Sequence, residues 1–490
     1  MESNTWPGSV LQNGRTTWIV GAIALLLFVA TNLPWQVDDY DQAKQAYTSF
    51  EMVKQGHWFY QHTPRQRIAT KPPLIGWLSA GLFETTRSWD VAWRLPSLAA
   101  AIALSVCLLR AGISAYGATA GLLGFSAFTL NLLTPRLATL VRTDMPLSLV
   151  LTLMGILIWR KIRSHESWHA RDRLWMFGLL TAGMLIKGPI VYAFLLPGIV
   201  FFQWWKRKAG ASSAWCGWWP WIVSLLIFLI WALAGIRFVP GFYDQVVVQE
   251  FLGRFGETMH RPQPFYFYWP HLLHKFAPWS VLLIALAWFG WRARNRDGEE
   301  WFRRVSPDVM WLLCWSLGAL LVMSCIPSKR VDRIFPVIPP LCLLFATQVR
   351  EIQSNESRYR RAQPWLLGAL LFAIVFTSSY TVFKVANGYR GQRAALADFG
   401  RTVRQEANSH GWRYEAVAGS DEGMLLYLDK SSFIEPGRAI VDWNAGNLDA
   451  LVVPAGNAAN YVRDLQGAPP PRLESAKRRD LPGTYVLFVR

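Results

Sequence analysis

Charge is scarce in this chain. Only 17% of its 490 residues are Asp, Glu, Lys or Arg, against about 25% in ordinary soluble domains. With a hydrophobic share of 52%, that shortage excludes a soluble multidomain enzyme and a disordered scaffold. Cysteine is also rare. The five (Cys107, Cys216, Cys314, Cys325 and Cys342) are odd in number and lie in or beside apolar runs, which excludes a disulfide framework and a zinc-type cysteine cluster. The eight histidines follow no metal-ligand spacing. His271 and His274, three apart among aromatics, read as a packed or solvated pair. No segment recurs at a fixed interval, so a fibrous or solenoid repeat is excluded.

What the chain does have is apolar length. Runs of about 17–20 residues, each enough to cross a bilayer, occur at 17–34, 94–112, 117–134, 145–162, 173–187, 189–205, 216–236, 276–291, 309–326, 334–348 and 364–383. Many of the 27 tryptophans stand at the ends of these runs, as interfacial aromatic belts require. The first run ends in Asn32-Leu33-Pro34-Trp35 with no small-x-small site, so it reads as a span and not as a cleaved signal. The class is a polytopic membrane protein of about eleven spans.

The net charge of +18 follows from topology. Trp159-Arg160-Lys161-Ile162-Arg163, Lys206-Arg207-Lys208, Arg292-Ala293-Arg294-Asn295-Arg296 and Arg358-Tyr359-Arg360-Arg361 follow spans four, six, eight and ten. Short basic loops stay cytoplasmic, so the N-terminus is expected inside and the C-terminal region outside. The outer face then carries 35–93, 135–144, 237–275, 327–333 and 384–490. Segment 35–93 also has several Lys and Arg, but a loop that long crosses regardless of charge. From 384 onward the apolar runs shorten. Gln392 to Asn408 reads as an amphipathic helix and Thr484 to Arg490 as a strand, predicting a small α/β domain over 384–490. Residues 1–383 are the expected transmembrane domain, with large outer loops at 35–93 and 237–275.

The outer segments hold the polar residues that can do chemistry. The first reads Asp38-Asp39-Tyr40-Asp41-Gln42-Ala43-Lys44, with a helix expected from Asp41 to Gln55, Asp41 at or near its cap, and Gly56 as its end. Lys44 lies one turn on, near the same face. A capping Asp and an exposed cation account for both in plain structural terms. Lys71 precedes Pro72-Pro73, which stiffen the chain and fix its direction; it reads either as a phosphate-holding point charge or as a snorkelling lysine. Asp144 opens span four. A carboxylate there needs a purpose or a partner, and Arg142 and Arg136 are candidates. Lys187, before Gly188-Pro189, interrupts an apolar stretch at an outer turn. Gln249 to Phe255, with Arg254, and His260-Arg261-Pro262 lie in the large outer loop. Each signal alone is weak. Together they gather carboxylates (Asp41, Asp144) and cations (Lys44, Lys71, Lys187, Arg254) on one membrane face. Interfacial cations suit a lipid phosphate, and a carboxylate among them suits removal of a proton from an attacking hydroxyl.

In these residues the chain resembles the protein O-mannosyltransferase and lipid A aminoarabinose transferase superfamily. Its members are integral membrane glycosyltransferases of the GT-C class that use polyprenyl-phosphate-linked sugars. The superfamily's first loop runs D-E-x-x-Y-A, then E-M-x-x-x-G-x-W, then K-P-P-L; Glu51-Met52, Gly56, Trp58 and Lys71-Pro72-Pro73-Leu74 fit it. Counting back from Glu51 puts the catalytic Asp on Asp41, not on Asp38 or Asp39. Gln42 replaces the usual Glu, Lys44 falls on a basic position and Gln45 replaces Tyr. Arg94-Leu95-Pro96-Ser97, Arg142-Thr143-Asp144-Met145-Pro146, Lys187-Gly188-Pro189, Arg254-Phe255, Ser328-Lys329 and Phe335-Pro336 continue the likeness over about 20–345. The ordered set is specific to the superfamily and not to a substrate.

The resemblance implies a GT-C fold of about eleven spans, with thirteen as the alternative count, carrying a small C-terminal α/β periplasmic domain. It implies an inverting glycosyltransferase in a bacterial inner membrane, moving a sugar from an undecaprenyl-phosphate donor to lipid A, protein or glycan, with no nucleic-acid partner. Asp41 becomes the general base and Asp144 the residue that orients the acceptor or a basic residue. Lys71, Lys187, Arg254 and Lys44 bind the donor phosphate, whose developing charge fixed cations stabilise. No cofactor is required. Some members hold a divalent metal through a Glu just before Lys-Pro-Pro, and Thr70 stands at that place here. A phosphoethanolamine or acyl transferase is the other enzyme reading, but a nucleophilic Thr among His/Asp ligands is not found. A lipid flippase or transporter predicts mid-bilayer charges and pseudo-repeated halves, whereas the spans here are almost free of charge.

Overall fold

The computed structural model describes residues 8–37, 39–209, 213–254, 262–295, 305–467, 469–479 and 483–490. Asp38, His260 and Arg261 lie outside the described residues, as do the side chains of Arg207, Lys208, Arg254, Arg292 and Arg294. The chain divides into two compact units. One comprises 1–29, 96–139 and 143–381; the other comprises 30–95, 140–142 and 382–490.

The first unit is helical. Each predicted apolar run has a helix: Gly14–Ala30, Trp89–Tyr116, Ala118–Thr129, Asp144–Arg163, Ala170–Lys187, Ile190–Ala209, Trp219–Phe238, Trp279–Asn295, Pro307–Cys325, Ile338–Gln353 and Glu356–Arg390. Six helical stretches are long and apolar enough to cross a membrane, and Gly14–Ala30, Ala118–Thr129, Ile190–Lys206 and Trp279–Trp288 are shorter apolar ones. An α-helix satisfies its own backbone polar groups, which hydrocarbon demands. In lipid the helices gain little from the hydrophobic effect, so close approach at small residues holds them together. At the crossing of Ile190–Ala209 with Pro307–Cys325, a Cβ on Gly318 would stand 2.8 Å from the backbone nitrogen of Gly198, and one on Gly198 would stand 2.8 Å from the Cα of Trp315. Gly155 likewise receives the Trp315 ring.

The second unit is a four-stranded sheet with helices on both faces. Strands β1 (Tyr414–Ala416), β2 (Ala450–Pro454), β3 (Leu473–Glu474) and β4 (Tyr485–Val489) stand in the order β1-β2-β4-β3, with β1 and β2 parallel and the other pairs antiparallel. Side chains alternate across a strand, and here both faces are dry. Ala450, Val452, Tyr485 and Leu487 enter one core; Leu451, Val453, Val486 and Phe488 enter the other. Trp443, Ala439, Tyr461 and Leu465 cover the second face. The first is covered by the helix Ala395–His410, as the amphipathic pattern predicts, and also by Val37, Ala46, Tyr47, Phe50 and Trp93 from the first outer segment. Full burial of a side chain such as Phe50 is worth about 1.5–3 kcal/mol.

This grouping differs from the expected division. The boundary near 383 falls beside Val382, but the segment 35–93, assigned from sequence to the transmembrane domain, packs with the C-terminal region. Its helix Tyr40–Gln55 supplies apolar side chains that the sheet needs, and Val37 N donates to Tyr427 Oη at 2.6 Å.

Candidate functional site

In the second unit the helix Tyr40–Gln55 begins one residue earlier than predicted. Asp39, with extended backbone, is its cap and accepts from Asp41 N at 3.0 Å. Asp41 therefore lies in the first turn, where the helix dipole favours negative charge. Its carboxylate is about one quarter exposed and stands 3.4 Å from the Arg142 guanidinium, which also bonds Asp39 at 2.9 Å. Arg142 arrives on the short segment 140–142, which Gln42 anchors by accepting from Val141 N at 3.2 Å. Gln42, a departure from the superfamily pattern, thus positions the cation that holds Asp41.

Arg65, Arg67 and Lys44 act on the groups around Tyr40 and Glu422. Arg65 bonds the buried Glu422 at 2.8 Å. Burial pushes the Glu422 carboxyl up, against the opposing pull of Arg65, Lys44 and Arg67. Burial, with the Glu422 charge, also raises the Tyr40 hydroxyl, and Asp41 contributes to the rise. Lys44 is 6.0 Å from the Tyr40 ring centroid. Lys71 is half-buried and precedes the buried Pro72 and Pro73, after which the helix Leu74–Thr86 starts. The strand-like bridge of His62 to Ile68 and the bond from Ala69 N to Gln61 O, 2.7 Å, fix the backbone just before it.

The first unit carries Asp144 and Lys187. Asp144 opens the helix Asp144–Arg163, and Lys187 closes Ala170–Lys187 ahead of Gly188 at φ +73°. Each charge suits its helix end. The two meet at 2.5 Å, with side chains only 11% and 10% exposed. Lys187 is therefore neither a snorkelling nor a solvated turn lysine. It is a partner for Asp144 that sequence reasoning had sought in Arg142 or Arg136. Arg136 stands 3.9 Å from Asp332. Arg254 ends a 3₁₀ turn, Leu252–Arg254.

One cluster escaped sequence reasoning. Glu51, wholly buried, accepts from His57 Nδ1 at 2.9 Å and lies 2.7 Å from His62 Nδ1, while His62 N donates to its other oxygen at 2.5 Å. Burial works against the Glu51 charge, but the hydrogen bonds from His62 and His57 outweigh it and lower its pKa. The bond to Glu51 raises the His62 pKa. Spacings of six and eleven match no helical ligand motif; the left-handed turn at Gly56 was the available signal. Thr70 brings no carboxylate to the position where some superfamily members hold a metal.

No family model matches the chain. It is 26% identical over 373 residues to undecaprenyl phosphate-alpha-4-amino-4-deoxy-L-arabinose arabinosyl transferase 1 of Sodalis glossinidius, covering 70% of this chain and 60% of that protein. It is 26% identical over 367 residues to the corresponding transferase of Pseudomonas savastanoi pv. phaseolicola, covering 70% and 63%. The chain thus matches about six tenths of the length of these curated relatives. Among solved structures it resembles ArnT from Cupriavidus metallidurans bound to undecaprenyl phosphate, with TM-score 0.72, 18% identity, and 96% and 97% coverage of the two chains. It also resembles the oligosaccharyltransferase AglB from Archaeoglobus fulgidus in complex with an inhibitory peptide and a dolichol-phosphate, with TM-score 0.53, 12% identity, and 94% and 70% coverage. The chain is a multi-pass membrane protein with the GT-C fold, and the arabinosyl transferases are its homologues.

Proposed function

We propose that this protein is an inverting glycosyltransferase that moves a sugar from an undecaprenyl-phosphate donor to an envelope acceptor (lipid A, a protein or a glycan) at the periplasmic face of a bacterial inner membrane. The N-terminus is cytoplasmic and the 384–490 region periplasmic. The observation that carries this reading is the GT-C likeness over 96% of the chain. Homologues whose names state an undecaprenyl-phosphate donor add to it.

The role proposed for each residue extends the resemblance, and the surroundings of Asp41 and Asp144 support it. Asp41, partly exposed and directed by Arg142, is the general base that takes the acceptor hydroxyl proton. The acceptor oxygen then attacks the anomeric carbon as the bond to the phosphate oxygen breaks. Undecaprenyl phosphate leaves with the electron pair. Lys71 and Lys44 stabilise the negative charge that develops on it, and cations preorganised for that charge lower the barrier most. On the membrane unit, Lys187 and Arg254 are cations for phosphate, and Asp144 fixes the direction of Lys187.

The test is transfer of label from an undecaprenyl-phosphate sugar to a lipid A or glycan acceptor by the full chain in proteoliposomes. Release of undecaprenyl phosphate in step with labelled acceptor is the expected result. Movement of the intact donor lipid across the bilayer with no sugar transferred would establish a flippase instead.

A further inference from the structure

Glu51, His57 and His62 are drawn together by local chain geometry. The helix Tyr40–Gln55 stops at Gly56, whose φ of +74° folds the chain back over the last turn. His57 then faces Glu51. The next residues form a closed loop, with Thr63 N bonded to Arg67 O at 2.6 Å and His62 bridged to Ile68. That loop delivers His62 to the same carboxylate, by side chain and by backbone.

The result is two imidazole nitrogens and one carboxylate oxygen, all within 4.8 Å of one another. Among the described residues it is the one such group of three found. The Glu51 side chain is fully buried, and its ion pairs are to the two histidines. A buried carboxylate needs a positive partner to offset lost hydration. Two protons shared with imidazoles can supply it, and so can one divalent cation. An N₂O donor set suits zinc, which takes His nitrogen at about 2.0–2.1 Å and carboxylate oxygen at about 2.0–2.2 Å. Tetrahedral bonds of that length separate ligand atoms by about 3.3 Å. The present separations of 2.7 and 2.9 Å need to open by only about half an ångström. The His57 side chain is 47% exposed and that of His62 29%, so an ion can enter from solvent and a fourth ligand can come from the same side.

We propose that Glu51, His57 and His62 form a divalent-metal site of zinc type, distinct from the position that Thr70 occupies. The metal staples the 57–69 loop to the end of the helix Tyr40–Gln55. It thereby fixes the chain that runs on to Lys71, so its role is to position that residue, not to take part in bond making. The site is independent of the glycosyltransferase reading, because the metal is measured directly.

The full-length protein in detergent is stripped with a chelator, exchanged into metal-free buffer and titrated with Zn²⁺. One zinc per chain by mass spectrometric metal analysis is expected. Co²⁺ in its place should give visible ligand-field bands that Zn²⁺ displaces. Loss of an outer-shell partner typically costs 10–100-fold in metal affinity, so loss of a direct ligand in His57→Ala or His62→Ala should cost more than about 100-fold. Glu51→Gln is a poorer variant, since the buried carboxylate also holds the loop backbone; the half-exposed His57 keeps the test open if that variant fails to fold. A His271→Ala/His274→Ala protein should bind as the parent does. Absence of stoichiometric zinc in the parent overturns the proposal. So does binding that survives in both His57→Ala and His62→Ala.

Discussion

The two candidate carboxylates, one in each unit, sit in different surroundings. Asp144 is paired with Lys187, with both side chains nearly dry. Asp41 shares one guanidinium with Asp39 and keeps about a quarter of its side chain in contact with solvent. A carboxylate locked in a buried pair has its charge committed to a neighbour. One that is partly exposed can be reached by a substrate. The contrast supports the proposed division of labour, with base chemistry on Asp41 and orientation on Asp144, which the sequence offered through the resemblance and not through the local pattern.

That contrast can be broken at several points. The largest effect is expected from Asp41→Asn, which removes the proton acceptor while keeping shape. General-base catalysis is worth about 10²–10⁴-fold, so the transfer rate should fall at least 100-fold while thermal unfolding stays near the parent's. Undiminished transfer would refute the assignment. Next comes Asp144→Asn, which strands Lys187. Breaking a buried pair from one side costs about 3–5 kcal/mol, whereas replacing both partners is often nearly neutral. The single variant should therefore lose stability strongly in detergent melts. Asp144→Asn/Lys187→Met should recover much of that stability without recovering transfer. A double variant no more stable than the single would remove the clamp interpretation.

A smaller effect is expected of Arg142→Gln. Asp41 remains but is no longer aimed, and misplacement of a reacting group by about 1 Å costs up to about 100-fold. We expect about a tenfold loss in kcat with little change in KM for donor. Loss in KM alone would make Arg142 a substrate ligand instead. The smallest effect sets the scale for exposed pairs. Hydrogen bonds from Arg413 hold Asp449 down at about 2, from an ordinary 3.8. A lowered folded-state pKa contributes stability above the unfolded value and loses it as pH falls through the folded one. The contribution is thus complete above about 3.8 and fades toward about 2. Asp449→Asn should flatten that part of the melting-temperature profile by a small amount, because both groups are solvated. An equally steep profile in the variant would assign the slope to other carboxylates.

Much of the architecture is legible in the sequence because its signals are local. Apolar length marked the helices, Gly56 marked the end of Tyr40–Gln55, and a short run of aromatic and β-branched residues marked β4. Pairings between distant segments were not legible. Nothing in the pattern says that Arg142 turns to Asp39 and Asp41, or that Lys187 reaches Asp144, since each contact spans 43 to 103 residues. The assignment of 35–93 to the membrane domain failed to anticipate its packing for the same reason. Its polar residues read as a loop, while Val37, Tyr47 and Phe50 were spoken for by a sheet that begins at Tyr414. The Glu51 cluster hid in plain spacing, because six- and eleven-residue offsets come together only after a left-handed turn.

The shared core has a consequence for how the protein is made. The ribosome completes Trp93 about 300 residues before Leu396, a member of the same core. At 5–20 residues per second this is an interval of about 15–60 s. Throughout that time Val37, Tyr47 and Phe50 have been synthesised but have no sheet to cover. The nascent chain therefore carries an unfinished greasy face for much of its biogenesis, and a message truncated near codon 383 leaves that face permanently open to quality-control proteases.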